Sequence, residues 1–446
     1  MPHALLQVDL LHLIARYLPT RDAFLSFIRA LPHDCLGYPL QCWRELSTRM
    51  PLDELWPRLQ LPARLRDDDI ALFRGASLVF SHVVLSQPFD LALLRRCVQP
   101  HAQLQLLASS LPPAPTPAWY NALATFSIAS LQGARRSCDG LASALPLFDA
   151  LCALDLGRTE PMTKKQQGHL VTALETALPA LLSLRLRHDE LAKETLGALT
   201  AWIATRPVRG VGLVGSGDAA PRALCAALHA SNTLHVLDVE QSPLGLKICR
   251  DVSPGHWPTL TVLRLSACAL TARNVKKLLP GLPTQSLRKL DLVHYLHLAN
   301  AGLTPKGLLA LASMLRRPSR LTTLYLENEA IDDRSLARFV KLIAQSPTLQ
   351  YVALWHMVVG VESAMDMVEA LYHNQKLEVV LLGSSALSAR AAQIVDSCYG
   401  VRATRFFVTA PPLASTPLNI PVLQAALDSA VNQRKRSLPS CAWAHD

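Results

Sequence analysis

One aliphatic pattern recurs along most of this chain and limits what it can fold into. Leu-x-x-Leu-x-Leu, with Val, Ile, Phe or Thr sometimes standing in, starts at Leu123, Leu151, Leu181, Val208, Leu234, Leu260, Leu287, Leu321, Leu349, Leu377 and Val401. Successive starts lie 24 to 34 residues apart. In the unit beginning at Leu321, the alternation around Leu324 and Leu326 predicts a short strand with one face inward. Ile331, Leu336, Phe339, Val340 and Ile343 then fall near helical spacing, and Pro347 stops the helix before the next strand start at Leu349. A unit this short cannot bury its own apolar face, so it is stable only between neighbours of the same kind. A chain of 446 residues would ordinarily divide into several domains, but a stacked array extends its core along one axis instead.

Composition narrows the class further. Half the residues are hydrophobic and only 6% aromatic, so leucine and alanine supply most of the apolar volume. The ten cysteines are scattered, without a Cys-x-x-Cys pair or the clustered Cys/His spacing of a zinc site, and read as reduced thiols. Asp9, His12 and Arg16 interrupt the first leucines, and no apolar run is long enough to cross a bilayer, so no signal peptide and no membrane association are expected. These features predict a soluble protein of the cytoplasm or nucleus. The formal charge of +10 divides as +1 over residues 1–122, +8 over 123–409 and +1 over 410–446. Basic residues without interleaved aromatics or a groove-reading module do not predict nucleic-acid binding.

The period, with a strand followed by a full helix, resembles the ribonuclease-inhibitor subtype of leucine-rich repeats over residues 123–409. That resemblance implies an α/β solenoid of horseshoe form, with a parallel sheet on the concave side and helices on the convex side. The family places Asn or Cys three residues after the third leucine, to bond the turn. Cys268 fits, whereas Thr159, Asp189, Ser216, Ser242, Glu329, Met357 and Ser385 occupy the slot elsewhere. Met357 cannot cap a turn. The longest unit, starting at Leu287, is expected to hold an insertion that bulges as a loop around Tyr295 to Asn300.

Residues 6–19 place Leu6, Leu10, Leu11, Ile14 and Leu18 at helical spacing, with Pro19 as the stop. The segment is similar to the opening of an F-box, matching at Asp9, Leu10, Leu11, Ile14, Tyr17, Leu18 and Pro19, with Gln7 where the family has proline. Cys42-Trp43-Arg44-Glu45-Leu46 and Leu55-Trp56 resemble the elements that close an F-box. The resemblance implies a small α-helical domain over residues 1–60 whose Leu6, Leu10, Leu11, Ile14, Leu18 and Pro19 serve its own core and a Skp-type adaptor of a cullin ubiquitin ligase. The competing reading is a helical cap that shields the first repeat from water. Residues 61–122 read as a connection holding degenerate early repeats near Phe80 and His101, a helix start at Asp67-Asp68-Asp69 and a stiff, exposed proline-rich stretch from Leu111 to Pro117. Residues 410–446 read as a C-terminal cap and tail.

Candidate chemistry is sparse, and the chain is not expected to be an enzyme or to hold a cofactor or metal. Gly210-Val-Gly212-Leu-Val-Gly215 spells a dinucleotide motif, but it falls within a strand of the repeat rather than at a strand-to-helix turn. His188-Asp189-Glu190 falls in a repeat turn with no nucleophile beside it. The repeat register instead points a set of side chains toward a partner: Arg185, Arg187, Asp238, Glu240, Arg264, Arg288, Asp291, Tyr325, Glu327, Tyr351, Trp355 and Leu381. Exposed Trp, Tyr and Arg often carry interface energy; the alternative is that the C-terminal cap folds over Trp355 and its neighbours. The expected function is a protein-binding substrate receptor of a ubiquitin ligase, or else a scaffold without ligase coupling. A GTPase-activating role, found with the same repeat type, fits less well because its family carries an acidic tail where this chain has Arg434-Lys435-Arg436.

Overall fold

The computed structural model describes residues 10–394 and 406–407 with short interruptions, the largest at 216–221, 252–256 and 279–293. Arg288 and Asp291, the His188-Asp189-Glu190 turn, Leu6 and Pro19 lie outside the described residues. Two compact units divide the chain, Met1–Leu228 and His229–Asp446.

The first unit opens with helices Arg21–Ala30, Gly37–Leu46 and Leu52–Leu55. Seven strands follow: β1 Leu59–Leu61, β2 His82–Leu85, β3 Gln103–Leu106, β4 Ser127–Gln132, β5 Ala153–Leu156, β6 Ser183–Arg187 and β7 Gly210–Val214. They pair in chain order and in parallel. Each connection carries a helix, as a parallel pair requires; these are Asp67–Ala76, Leu91–Cys97, Pro117–Leu123, Cys138–Ala144, Lys164–Thr172 and Lys193–Thr205. The three aspartates occupy the first turn of Asp67–Ala76, where they meet the positive end of the helix dipole.

The second unit repeats the plan with β8 Val236–Glu240, β9 Val262–Ser266, β10 His294–Ala299, β11 Leu321–Glu327 and β12 Tyr351–Trp355. After β12 come β13 Val358–Val359, β14 Val379–Gly383, β15 Ala386–Leu387 and β16 Phe406–Phe407. Strands β8 to β12, β14 and β16 are parallel neighbours, while β13 and β15 form a separate pair. Helices Leu244–Asp251, Pro305–Leu315, Asp333–Ile343 and Val361–His373 lie between strands.

The recurring aliphatics form the core by standing in register. Leu131, Leu154, Leu184 and Val211 face one another across the first unit. Leu237, Leu263, Leu296, Leu324, Val352 and Val380 do so across the second. Leu154, Leu184, Leu263, Leu324 and Val352 are each 3% exposed or less. Burial of one such side chain is worth about 1.5 to 3 kcal/mol before chain ordering is offset. This shared ladder, rather than any one unit, makes the fold.

Three expectations need correction. Strands β2 and β3 stand near Phe80 and His101, where degenerate early repeats were read, but β1 precedes them both, and Leu123 closes a helix, with its strand starting at Ser127. The proline-rich stretch is partly buried, with Leu111 5% exposed and Pro117 in the first turn of its helix. The third concerns the unit placed at Leu287, whose strand is β10: His294–Ala299, expected as a loop, pairs with both β9 and β11. Val293-x-x-Leu296-x-Leu298 carries the same pattern as Leu287-x-x-Leu290-x-Leu292. Tyr295 favours a pleated surface, whereas Arg288, Lys289 and Asp291 do not. The insertion therefore precedes the strand.

Candidate functional site

Side chains between the core leucines point to the opposite face of each sheet, because successive strand residues alternate. In the first unit Gln132, Asp155, Arg185 and Gly212 stand in one register row. Gln132 Nε2 donates to Asp155 Oδ2 at 3.4 Å, and Arg185 Nη1 lies 3.9 Å from the same oxygen. The Gly157 backbone N–H donates to Asp155 Oδ1 at 2.9 Å. Two glycines make room for the arginine. A Cβ at Gly212 would collide with Arg185 Cγ, and one at Gly157 would stand 3.0 Å from its Nε. Gly210 and Gly212 of the dinucleotide-like motif thus lie within β7, as expected, Gly215 follows its end, and Gly212 serves as a berth for Arg185. One strand end further, Arg187 is exposed.

The row was only partly foreseen. Asp155 and Gln132 were missed, although Asp155 stands four residues after Leu151 as Arg185 does after Leu181. On the same face Arg58 Nη1 donates to Gln105 Oε1 at 2.9 Å. His82, half-buried on β2, is held below the usual imidazole range, first by burial and then by Arg58.

In the second unit Arg264 Nη1 lies 3.5 Å from Asp238 Oδ2, and their side chains are 19% and 11% exposed. Glu240 and Tyr351 are half-buried. Tyr325 corrects its expectation, since it is only 2% exposed and its register neighbour Ala353 is equally closed. Glu327 and Trp355 are register partners, and Leu381 stands between Ala353 and Phe407. Three of the turn slots hold polar groups bonded to nearby backbone. Thr159 Oγ1 donates to the Leu156 carbonyl at 2.8 Å, Ser242 Oγ accepts from the Leu244 N–H at 3.0 Å, and Cys268 Sγ donates to the Val239 carbonyl at 3.4 Å.

A second surface lies at the N-terminus. Residues 10–15 are helical, with Leu10 54%, Leu13 49% and Ile14 39% exposed. These positions share one helix face. Ala15 is fully buried, while Leu11 and Leu18 are half-buried. An aromatic cluster joins the helices that follow in sequence: Phe24 stacks on Trp56 with ring centres 4.0 Å apart and meets Trp43 edge-on at 4.7 Å. The buried Trp43 Nε1–H donates to the Leu55 carbonyl at 3.1 Å. Helix Gly37–Leu46 also packs closely on Asp67–Ala76, since a Cβ at Gly75 would strike Cys42 Sγ. Arg49 bridges Glu45 and Asp69.

Among the described residues no group of three or more His, Cys, Asp or Glu could hold a metal ion. Burial pushes the Cys97 thiol up to about 11 and Cys268 to about 12, which keeps both protonated. No helix among the described residues is long and apolar enough to cross a membrane. Compared with protein-family models and with curated proteins, the chain matches none. Its architecture is a parallel sheet with alternating helices, compatible with a repeat α/β fold.

Proposed function

We propose that this chain is a leucine-rich-repeat protein with an F-box-like N-terminal module, acting as a substrate receptor of a cullin-type ubiquitin ligase. It is not itself an enzyme in this reading; the ligase chemistry belongs to its partners. The observation that carries the reading is the exposed stripe of Leu10, Leu13 and Ile14 on a helix that precedes, in sequence, an aromatic-locked set of helices. Three large aliphatics on one solvent-facing helix surface suit a helix-groove contact with an adaptor. The polar strand face of each unit, with Arg185 and Arg187 in the first and Asp238 and Arg264 in the second, supports a further contact, to a substrate protein of mixed charge. Paired charges of this kind tune selectivity and encounter rate more than raw affinity.

Adaptor capture tests the first contact. The full chain should retain a Skp-type adaptor in a pull-down, and Leu10→Asp with Ile14→Asp should abolish retention without loss of helicity. Failure of the unmodified chain to retain the adaptor would reject ligase coupling. One observation favours a second reading, a scaffold without a ligase: the N-terminal helices pack on Asp67–Ala76 as a cap would. In that case the double substitution changes no partner set found by affinity purification.

A further inference from the structure

Two neighbouring helices of the second unit sort their exposed charges by sign. On Asp333–Ile343 the solvent-facing side chains at one-turn intervals are Arg334, Arg338 and Lys341. On Val361–His373 they are Glu362, Met365 and Glu369. A helix face held only by water gains from mixed signs, whereas Arg334 and Arg338, one turn apart, repel. The acids nearest the basic stripe are engaged elsewhere: Asp332 caps its own helix through the Ser335 N–H, and Asp333 accepts from the Gly360 N–H of the next. Among the described residues Arg338, Glu362 and Glu369 make no ion pair, and Lys341 reaches Asp366 at 3.2 Å with 65% of its own side chain still in solvent. Between the two glutamates stands Met365, 58% exposed.

We propose that this face pairs with the same face of a second copy of the chain, basic helix on acidic helix. Both halves of the complementarity lie on one surface, which is the condition for a self-complementary, two-fold contact. Their levels match as well. The acidic helix repeats the basic one after 27 residues, the separation across which Asp333 bonds Gly360. Leu336, Phe339 and Ile343 are buried, and at that spacing so are Ser363, Asp366 and Ala370. Arg338 therefore stands level with Met365, while Arg334 and Lys341 each fall one residue, about 1.5 Å, from the levels of Glu362 and Glu369. A two-fold axis running along and between the helices lays each on its counterpart in the other copy, pointing the same way. Arg334 then meets the other copy's Glu362, Lys341 meets its Glu369, and the aliphatic stem of Arg338 covers its Met365. A face of two short helices is small for a specific interface, so the dimer is weak and its exposed ion pairs make it sensitive to salt.

Sedimentation velocity of the full chain tests this. The weight-average coefficient should rise toward that of a dimer as concentration increases to about 100 µM, and fall back at high salt. Arg334→Glu and Glu362→Arg should each weaken dimerisation at least tenfold, and the two together in one chain should restore it, because the exchanged charges meet across the axis. A chain that stays monomeric throughout, a dimer indifferent to either reversal, or single effects that add rather than cancel would overturn the proposal. Circular dichroism reads whether each variant has kept its fold; where one has not, a crosslink decides. With p-benzoylphenylalanine at Met365, in mixed isotope-labelled and unlabelled chains, irradiation should join that position to Asp333–Ile343 of a second copy. Crosslinks within one chain only, or none, would equally overturn the pairing. No adaptor or substrate enters either measurement, so this interface and the function proposed above stand or fall separately.

Discussion

At the residue scale the polar face is shaped by what is small as much as by what is charged. Gly212 has no room for a Cβ beside Arg185, whereas Gly197, on the exposed side of helix Lys193–Thr205, has nothing within 4 Å. Gly212→Ala should therefore destabilise by about 1 to 3 kcal/mol through overpacking. Gly197→Ala should stabilise by about 0.5 to 1 kcal/mol through helix propensity. Urea denaturation of the two variants checks the opposite signs. His82 supplies a pH dependence. Its imidazole is held below the ordinary 6.5, so as pH falls through 6.5 the unfolded chain takes up a proton that the folded chain refuses. Stability should fall from about pH 6.5 down to the depressed folded value. His82→Gln should flatten that part of the slope in thermal melts across pH 5 to 7. An unchanged slope would show that other groups set it.

At the element scale, helices are fixed by bonds reaching from one repeat to the next. Asp333, in the first turn of Asp333–Ile343, accepts from the Gly360 N–H at 2.7 Å, the Glu362 N–H at 3.2 Å and the Ser363 N–H at 3.3 Å. Its carboxylate thus fills the N-terminus of helix Val361–His373, where unpaired N–H groups and the dipole favour an anion. Asp333→Ala leaves those donors without the carboxylate and should cost about 1 to 3 kcal/mol. Amide exchange in Val361–His373 should quicken first, before that of Asp333–Ile343. This bond was not legible in the sequence, since acceptor and donors are 27 to 30 residues apart and no local pattern links them. What was legible is whatever repeats. The aliphatic ladder follows from spacing, and the polar slots at Thr159, Ser242 and Cys268 follow from the resemblance to leucine-rich repeats. Strands β1 and β3 were blurred because Leu59-Gln-Leu61 and Gln103-Leu-Gln-Leu106 are too short to declare a period. Two overlapping copies of one pattern hid β10, and the alternation along β11 gives no sign that Tyr325 is buried.

At the scale of the whole molecule, an array in which each strand touches only its neighbours distributes stability unlike a single globular core. Leu324 is fully buried and stands in register between Leu296 and Val352, so its loss weakens two adjoining strands together. Leu324→Ala should cost about 2 to 5 kcal/mol, according to how far the site collapses around the cavity. The distinctive consequence is spatial. Amide exchange should accelerate most in β10, β11 and β12 and progressively less toward β8, since coupling passes through nearest neighbours. Uniform acceleration along the second unit would instead mean that it opens as one cooperative body, and a functional surface built on one strand could not loosen without the rest. A graded response means that the strands around Leu324 can loosen while the remaining ladder keeps its register.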